Sequence, residues 1–546
     1  MRAPRPNLVV SGQIVVAARP DGLETAEAIG IADGVVVMTG TASDVHAAAA
    51  PGARMVEAGS RAVVPGLHDF HLHLVGMARA RRTVNLESTR SMEEIVTAIG
   101  SAAAAAPSDS WVRGDGWHTE VLAPSQLDRL ESVVDGRPAL LRSHDRHSAW
   151  ASSSALRAAG IAPDAADPPG GRFERGGSGT LTGVLRESAA DLVADHATRL
   201  VGERLNEALS EVAAELSGLG ITGATDAGDP TTANGRGPYS ALGDSFANLS
   251  AAQRVLDGKL RVTINLPAGA INSAADTGLR TGEPLSFGGG MRVGWAKLYA
   301  DGALGSRTAA LFDPYTCGDR DDDRGILRIG PEELDDLLNR SRRAGIGLAI
   351  HAIGDRAASE VLDALARGPG RSDDLPPDRI EHAQLVRAAD RMRFATLGVT
   401  ASLQPIHLPS DRQAAEACWG GRLEDAYAYR SMAATGVLVA FGSDAPIETA
   451  NPWHGIYAAV RRAAPRDPSP PWMPAEILTP ETALWAYTLG PALAAGRRDL
   501  GHLGPGARAD LAVLSIDLPT LLAADERLVS ARSELTFLDG REVRGV

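Results

Sequence analysis

The chain has 546 residues, which exceeds the size of one ordinary hydrophobic core and predicts two or three domains. Its hydrophobic and charged fractions, 44% and 22%, are those of a folded globular protein and exclude a disordered chain. The net charge of −14 argues against nucleic-acid binding, because such binding calls for a basic surface.

Three features of the sequence favour a cytoplasmic protein. Residues 1–6 lead directly into strand-like residues, without the apolar segment and cleavage site of a signal peptide. No stretch approaches 18 uninterrupted apolar residues, so we expect no membrane-spanning helix. The two cysteines, Cys317 and Cys418, are too few for a disulfide framework and fit a reducing cytosol. A homo-oligomer is compatible with the sequence.

The two ends of the chain have the same β-rich character. Residues 1–64 contain short apolar runs separated by turns, and Asp33-Gly34 between two of them is a hairpin signal. Residues 496–546 return to the same pattern. Neither piece is long enough to bury its own core. We therefore expect the two to form one small β-sandwich that brings the chain ends together.

Residues 65–79 and 206–495 alternate apolar, β-like runs with helical stretches, which is the pattern of a parallel α/β fold. Eight candidate strands end near His71, Asp226, Asn265, Lys297, His351, His382, Gln404 and Ser443. Eight such units predict a (β/α)8 TIM barrel, whose active site lies at the C-terminal ends of the strands.

One interval in the barrel region is much longer than the others. About 150 residues separate His73 from the candidate strand that begins at Ile221, whereas a βα unit needs roughly 30. We therefore expect residues 80–205 to form an inserted α/β subdomain over the barrel mouth.

Five short segments place a His, Lys or Asp at the end of a strand-like run: residues 64–73, 297–302, 348–355, 379–384 and 441–446. In the first segment His71 and His73 alternate along a strand, so their side chains leave the same face. Two imidazoles aimed at one point can bind a divalent metal, and imidazole suits zinc. The alternative is that they are ordinary polar residues at a strand end.

Lys297 ends a strand-like run and would point into the barrel, where burial lowers the pKa of an ammonium group. A neutral lysine amine can add carbon dioxide and become a carbamate, an oxygen ligand able to bridge two metals. The alternative is a salt bridge to Asp301 or Asp69, and spacing alone favours that alternative.

His351 and His382 end successive candidate strands and suit a second metal. Asp444 follows the last strand, where a carboxylate can both coordinate a metal and relay a proton. The alternative for Asp444 is an N-cap of the following helix. Together the five segments predict a two-metal hydrolase site.

These motifs resemble those of the amidohydrolase superfamily, and more narrowly its YtcJ-like branch, amidohydrolase family 3, which includes N-substituted formamide deformylase. The resemblance covers nearly the whole chain. Its most specific stretches are residues 301–309, 381–384, 442–446, 451–456 and 504–514.

The resemblance implies a role for each strand-end residue. His71 and His73 would hold one metal, and His351 and His382 the other. Lys297 would be the carboxylated bridge between two ions, most simply Zn²⁺, and Asp444 would be both a ligand and the general base. The resemblance extends into the insertion, and from it we expect substrate contacts. The candidate contact residues are His147, Trp117, Arg307 and Gln404, and the favoured alternative for Trp117 is packing in a wall or core.

The sequence thus predicts an enzyme that hydrolyses a C–N bond of a small amide, such as an N-acyl or N-formyl compound. A metal-bridging hydroxide would attack the carbonyl, and Asp444 would pass its proton to the leaving nitrogen. A deaminase or cyclic-amide hydrolase would use the same centre. A non-catalytic binding protein is the remaining alternative, but it would be marked by lost ligands, and all six expected ligands are present.

Overall fold

The computed structural model of the chain describes residues 4–106, 110–117, 127–143, 148–168, 171–177, 179–197, 200–228, 239–285, 290–317 and 322–544. Strands and helices are numbered in chain order. The chain divides into two compact units, one of residues 1–75 with 209–546 and one of residues 76–208. No helix in the described residues is long and apolar enough to cross a membrane.

Within the described residues, eight parallel strands form the central sheet of the first unit. They are β5 (Leu67–Leu72), β12 (Ile221–Asp226), β13 (Arg261–Pro267), β14 (Met291–Tyr299), β15 (Leu348–Ala352), β16 (Arg379–His382), β17 (Thr400–Leu403) and β18 (Val439–Phe441). They pair in chain order from β5 to β18. The eight-stranded parallel barrel expected from the sequence is confirmed.

The barrel closes where β18 meets β5. The Asp444 N–H donates to His71 O at 2.6 Å, and the His73 N–H donates to Ala445 O at 2.8 Å. Gly442 permits this approach, because a Cβ at that position would lie 2.5 Å from His71 N. The backbone therefore brings the first and last strand ends, with their polar side chains, to one place.

The first unit contains α1, the greater part of α7 and the helices that follow α7. They are α1 (Ala42–Ala48), α7 (Gly202–Gly218), α8 (Asp244–Ala251), α9 (Gln253–Leu256), α10 (Ile271–Asp276), α11 (Pro331–Ala344), α12 (Asp355–Arg367), α13 (Ala388–Leu397), α14 (His407–Cys418), α15 (Tyr429–Ala434), α16 (Pro452–Arg461), α17 (Pro480–Tyr487), α18 (Leu489–Ala494) and α19 (Leu518–Ala523). Helix α11 illustrates how the local sequence sets the start, the buried face and the end of a helix. It begins with a proline, buries Leu334, Leu337 and Leu338 on one face, and ends at Gly345 with φ of 67°.

Both chain ends join one continuous sheet of seven strands in the described residues, ordered β21-β20-β19-β4-β1-β2-β3. The strands are β1 (Leu8–Arg19), β2 (Gly22–Ala32), β3 (Val35–Gly40), β4 (Arg54–Pro65), β19 (Leu511–Asp517), β20 (Ser533–Leu538) and β21 (Arg541–Arg544). Strand β19 pairs antiparallel with β4 and so links the C-terminal strands to the N-terminal ones. Asp33 and Gly34 form the hairpin turn between β2 and β3, with positive φ at both.

The second unit is a sheet flanked by helices. In its described part the sheet has six strands, ordered β10-β11-β9-β8-β7-β6. The strands are β6 (Val84–Asn85), β7 (Val112–Trp117), β8 (Ala139–Ser143), β9 (Ser148–Ala151), β10 (Gly171–Arg175) and β11 (Leu181–Glu187), and the helices are α2 (Leu74–Ala80), α3 (Met92–Ala105), α4 (Leu127–Val134), α5 (Ser153–Ala158) and α6 (Ser188–His196).

The two cysteines form a disulfide, which corrects the expectation of two reduced thiols. Cys418 ends helix α14, and the loop that carries Cys317 runs beside this helix end. The Thr316 N–H donates to Cys418 O at 2.9 Å, and the Thr316 hydroxyl donates to Ala417 O at 2.8 Å. These backbone contacts join segments that are 101 residues apart in sequence, which is why spacing did not reveal the pair.

Candidate metal centre

Asp444 lies at the centre of a group of histidines at the C-terminal ends of the barrel strands. Its Oδ1 is 3.3 Å from His71 Nε2 and 3.2 Å from His73 Nε2, and its Oδ2 is 3.3 Å from His407 Nε2. Burial alone would raise the pKa of this carboxyl, but its contacts with the three imidazoles, above all the hydrogen bond from His407, hold the pKa well below its usual range. Asp444 is therefore a carboxylate surrounded by imidazole nitrogens.

The N-cap alternative for Asp444 is wrong. The next helix, α16, begins at Pro452, and the side chain of Asn451 accepts the capping hydrogen bond from the Trp453 N–H. The Asp444 side chain instead points toward the histidines.

Among the residues that the structure describes, one set of three side chains is close enough to share a divalent ion. His71, His382 and Asp444 each offer a ligand atom, and these atoms lie within 4.8 Å of one another. Nδ1 of His382 is buried and has no hydrogen-bond partner among the described residues. The ring of His382 is close to a carboxylate and to the His71 imidazole, and one of its nitrogens has no hydrogen-bond partner, an arrangement that fits a metal ligand.

His351 extends this set toward β15. Its ring centroid is 4.5 Å from that of His382, and its Nε2 donates to Gly302 O at 3.0 Å. Burial lowers the pKa of His351 to about 3, with a further contribution from the Lys297 ammonium. Burial also places the pKa of His382 well below its usual range. Both imidazoles are therefore neutral near pH 7, the form that coordinates a metal.

Lys297 is 3% exposed, and its Nζ lies 5.0 Å from the centroid of the Tyr299 ring. Burial lowers the pKa of its amine to about 8, although the carboxylates of Glu381 and Asp444 oppose this shift. In the described residues Lys297 forms no salt bridge with Asp69 or Asp301, because both carboxylates accept backbone N–H groups. The salt-bridge alternative is not what this structure contains.

Two of these positions have an unusual backbone conformation. His382 has φ of 70° and Asp444 has φ of 61°, both in the left-handed region that non-glycine residues rarely occupy. Such conformations cost free energy and cluster at functional sites, where the surrounding structure holds them. Here they turn the side chains of β16 and of the segment after β18 toward the same point.

Glu381 and Arg379 complete the centre, and sequence reasoning assigned neither a role. Both are fully buried, and Glu381 Oε2 accepts a hydrogen bond from His71 Nδ1 at 2.6 Å. Burial would raise the pKa of Glu381, but the Arg379 guanidinium and His71 hold it well below its usual range. A signal was available in the sequence. Arg379 and Glu381 occupy alternate positions of a four-residue strand, and alternate residues of a strand lie on the same face.

The histidines, Lys297 and Asp444 line a cavity of about 320 Å³. Further lining groups lie at the end of β14 and in the loop after it, on helix α14, and in the segments after β16 and β18. They include Tyr299, Ala303, Leu304, Gly305, Gln384, His407, Asp411 and Ile447. The cavity is of a size for a small molecule.

Comparisons with known proteins agree with this geometry. The sequence profile of the Amidohydrolase family matches residues 54–544. The chain belongs to the amidohydrolase family. It is 30% identical to N-substituted formamide deformylase of Arthrobacter pascens, covering 94% of both chains. It is 29% identical to putative amidohydrolase YtcJ of Bacillus subtilis, covering 90% of this chain and 91% of that one.

A solved structure of a metal-dependent hydrolase is also similar to this chain. A metal-dependent hydrolase from Pyrococcus furiosus matches with a TM-score of 0.75 and 26% identity, covering 93% of this chain and 99% of that one. This amidohydrolase is therefore a metal-dependent hydrolase that acts on carbon–nitrogen bonds, and its substrate is a small molecule.

Of the four residues expected to contact substrate, the three that the structure describes do not line the cavity of this amidohydrolase. His147 lies outside the described residues. Trp117 is 1% exposed in the core of the second unit, and its indole N–H donates to Leu141 O at 2.9 Å. The substrate role of Trp117 is therefore corrected to packing, because its ring and its donor are both used inside the fold.

Arg307 and Gln404 also differ from expectation. Arg307 is exposed and is not among the residues that line the cavity. Gln404 is 2% exposed, its Nε2 donates to Ser402 O at 3.2 Å, and it also lies outside the lining. Gln404 follows β17, where the sequence placed a strand end, and Arg307 lies in the loop after β14. Side-chain direction decides contact, and motif spacing does not give that direction.

Proposed function

We propose that this amidohydrolase cleaves the C–N bond of a small linear amide, such as an N-acyl or N-formyl compound. The observation that supports the proposal is the position of Asp444, whose two oxygens lie 3.2–3.3 Å from three imidazole nitrogens at the end of the barrel. A carboxylate held in this way can accept a proton at one oxygen while the other stays fixed.

The proposed centre takes two divalent ions, with zinc favoured by the imidazole-rich donor set. The proposed ligands are His71, His73, His351, His382, Asp444 and carboxylated Lys297. The buried and unpartnered Nδ1 of His382 and the neutral imidazole of His351 support this assignment. When bound, the two ions would polarise the substrate carbonyl and lower the pKa of water at the site.

The surroundings of Lys297 support its proposed carboxylation. The modification requires a neutral amine, and burial lowers the pKa of Lys297 to about 8, so more of it is neutral near pH 7 than for an exposed lysine. Addition of carbon dioxide to Nζ forms an N–C bond, releases one proton and creates an anionic oxygen ligand. That negative charge suits a position between two divalent ions.

Asp444 is the proposed proton carrier. It takes a proton from the attacking water and delivers it to the leaving nitrogen, so that amine and carboxylic acid are released. His407 donates to Asp444 Oδ2 at 3.3 Å and would keep the carboxylate oriented during this transfer. Glu381, through its bond to His71 Nδ1, directs His71 Nε2 toward the centre.

Similarity to a relative supports the proposed substrate class. The relative from Arthrobacter pascens is an N-substituted formamide deformylase and aligns over 94% of both chains. An N-formyl compound is therefore the first substrate to test for this amidohydrolase.

The test is a panel of N-formyl, N-acyl and cyclic amides, with a cyclic amidine added, incubated with zinc-loaded protein. We expect amine release from at least one linear amide, and release about 10²–10⁴-fold slower with the Asp444→Asn variant under the same conditions. Ammonia release from the amidine alone would assign the centre to a deaminase, and ring opening alone would assign it to a cyclic-amide hydrolase. Either result, or no hydrolysis of any compound, would overturn the proposal.

A further inference from the structure

Another cavity of the first unit lies at the end of the barrel opposite the metal centre. It has a volume of about 470 Å³ and is lined by residues before and at the start of β14, before β16, and around the end of α18. Arg292, the second residue of β14, belongs to its wall, and Lys297 follows five residues later on the same strand. At about 3.3 Å per residue, these two positions are roughly 16 Å apart. The cavity is therefore separate from the metal centre.

The three segments that line this cavity pack closely around Pro376. A Cβ added to Gly282, before β14, would lie 3.0 Å from Pro376 Cγ. A Cβ added to Gly496, after α18, would lie 3.5 Å from the same atom. Side chains that neighbour these contacts therefore surround one small volume, although they come from distant parts of the sequence.

The wall of this cavity is rich in arginine. In the described residues five arginines and three acidic residues line it, in a chain whose net charge is −14. Four of the arginines are half-buried, whereas all three acidic side chains are exposed. The arginines are Arg280, Arg292, Arg371, Arg497 and Arg498, and the acidic residues are Glu283, Asp373 and Asp374. The cavity thus concentrates positive charge in a protein that is acidic as a whole.

Two of the half-buried guanidinium groups have no carboxylate partner among the described residues. Arg292 Nη1 donates to Gly282 O at 2.5 Å. Arg371 Nη1 donates to Ser372 O at 3.0 Å and to Leu375 O. A guanidinium carries five N–H donors, and a carbonyl oxygen brings no full charge to balance it. Neither group has a nitrogen that is buried without a partner in the described chain, so the remaining donors of both are accessible.

The neighbouring arginines are paired, and they leave the charge of Arg292 unbalanced. Arg280 Nη2 lies 2.9 Å from Asp374 Oδ2, and Arg497 Nη2 lies 2.8 Å from Asp499 Oδ2. Burial lowers the pKa of Arg292, the Arg497 guanidinium lowers it further, and the charge of Asp499 opposes the shift without reversing it. Arg292 therefore lies in a region of excess positive charge that an anion would offset.

We propose that Arg292 and Arg371 bind the phosphate group of a small anion in this cavity. A phosphate group accepts several N–H donors at once, and its pairs with arginine are frequently bidentate. It brings the negative charge that the carbonyl partners of these two arginines do not supply. A volume of about 470 Å³ exceeds that of a phosphate ion and leaves space for a small organic group. The inference does not depend on the proposed function, because the metal centre takes no part in it.

Equilibrium dialysis with radiolabelled inorganic phosphate tests the site on zinc-loaded, full-length protein at constant ionic strength. We expect saturable binding with a Kd of about 1 mM or lower. The variants Arg292→Gln and Arg371→Gln each remove one charge and should each weaken binding about tenfold, the effect of one charge-assisted contact. The variants decide the location, since phosphate also binds metal ions. Absence of saturable binding would overturn the inference, and so would unchanged affinity in either variant that stays folded.

The matched control is Arg340→Gln. Arg340 is on α11, pairs with Asp336 at 2.8 Å and does not line the cavity. The control changes the net charge by the same amount and should leave phosphate affinity unchanged. An equal loss in Arg340→Gln would reveal an effect of overall charge and overturn the assignment. Arg371 lies outside the helices and strands, so Arg371→Gln decides the question if the melting temperature shows that Arg292→Gln, on a barrel strand, is unstable.

Displacement of the labelled phosphate distinguishes the sources of the phosphate group. Glycerol phosphate that displaces the label at a lower concentration than unlabelled phosphate would assign the site to an organic phosphate ester. Displacement only at a higher concentration would assign it to free phosphate. Displacement by acetate or chloride at the same concentration as unlabelled phosphate would show a cationic surface without selectivity and overturn the phosphate site.

Discussion

His71 Nδ1 donates a hydrogen bond to Glu381 Oε2 at 2.6 Å, across a sequence separation of 310 residues. Glu381 is in turn held by Arg379, whose Nη2 lies 3.0 Å from the same oxygen and whose guanidinium carbon lies 3.8 Å from the centroid of the Phe70 ring. This series of contacts fixes the tautomer of the His71 imidazole, because Nδ1 carries the proton and leaves Nε2 free to face Asp444. Such partners of a metal ligand set its orientation and basicity.

The variant Glu381→Gln should weaken metal binding while the barrel stays folded. The amide keeps the shape of the carboxylate but loses the negative charge that His71 and Arg379 face. Loss of a partner of this kind typically costs about 10–100-fold in metal affinity. A zinc titration against a competing chelator measures the change, with Glu416→Gln as the exposed control. Unchanged zinc affinity would show that Glu381 only supports the fold.

The variant Lys297→Ala should lose activity and one of two bound metals. Our reason is that the proposed carbamate at Lys297 supplies the oxygen that both ions share. Metal analysis of purified protein should give about two ions per chain before the change and about one after it. Short carboxylic acids added to the variant should restore part of the activity by replacing the carbamate. Full activity with full metal content would refute a bridging role for Lys297.

The variant Asp444→Asn should reduce turnover far more than it reduces stability. Removal of a positioned general base typically costs ~10²–10⁴-fold in rate. The carboxamide fills the same space between His71, His73 and His407, so the melting temperature should change little and much of the metal should remain. Steady-state kinetics and metal analysis on one preparation test this. A near-normal kcat would assign the proton transfer to another group.

The sequence was most informative where chemistry and periodicity coincide. His71, Lys297 and His351 each lie at the C-terminal end of an apolar run, and parallel strands bring such ends to one edge of a sheet. The barrel and its eight strands could therefore be predicted, because the signal is local to each strand. The convergence of these side chains then follows from the fold alone.

Contacts across distant segments could not be predicted in this way. The bond between His71 and Glu381 depends on which face of β16 turns inward, and the disulfide depends on the path of a loop past helix α14. For Trp117 a motif suggested a substrate contact that the structure does not contain, since the ring packs in a hydrophobic core. Side-chain direction and loop path are set by tertiary packing. A single sequence shows no periodic pattern at these positions from which either could be predicted.

The disulfide between Cys317 and Cys418 should stabilise this amidohydrolase measurably. It closes a loop with a sequence separation of 101 residues, and in the chain-entropy treatment a loop of that length restricts the unfolded chain by about 4–5 kcal/mol. A reductant should therefore lower the melting temperature of the unaltered protein. Alkylation followed by mass spectrometry should find both thiols blocked before reduction and free after it.

The variant with both cysteines changed to Ser is the matched control for the reductant. It should melt at the lower temperature with or without reductant, because no covalent link remains to be removed. The centre lies at the other end of α14, where His407 contacts Asp444, so its zinc content should be unchanged. Equal melting temperatures for the oxidised and reduced protein would mean that the link adds no stability. Zinc loss on reduction would instead show that the helix end positions the metal centre.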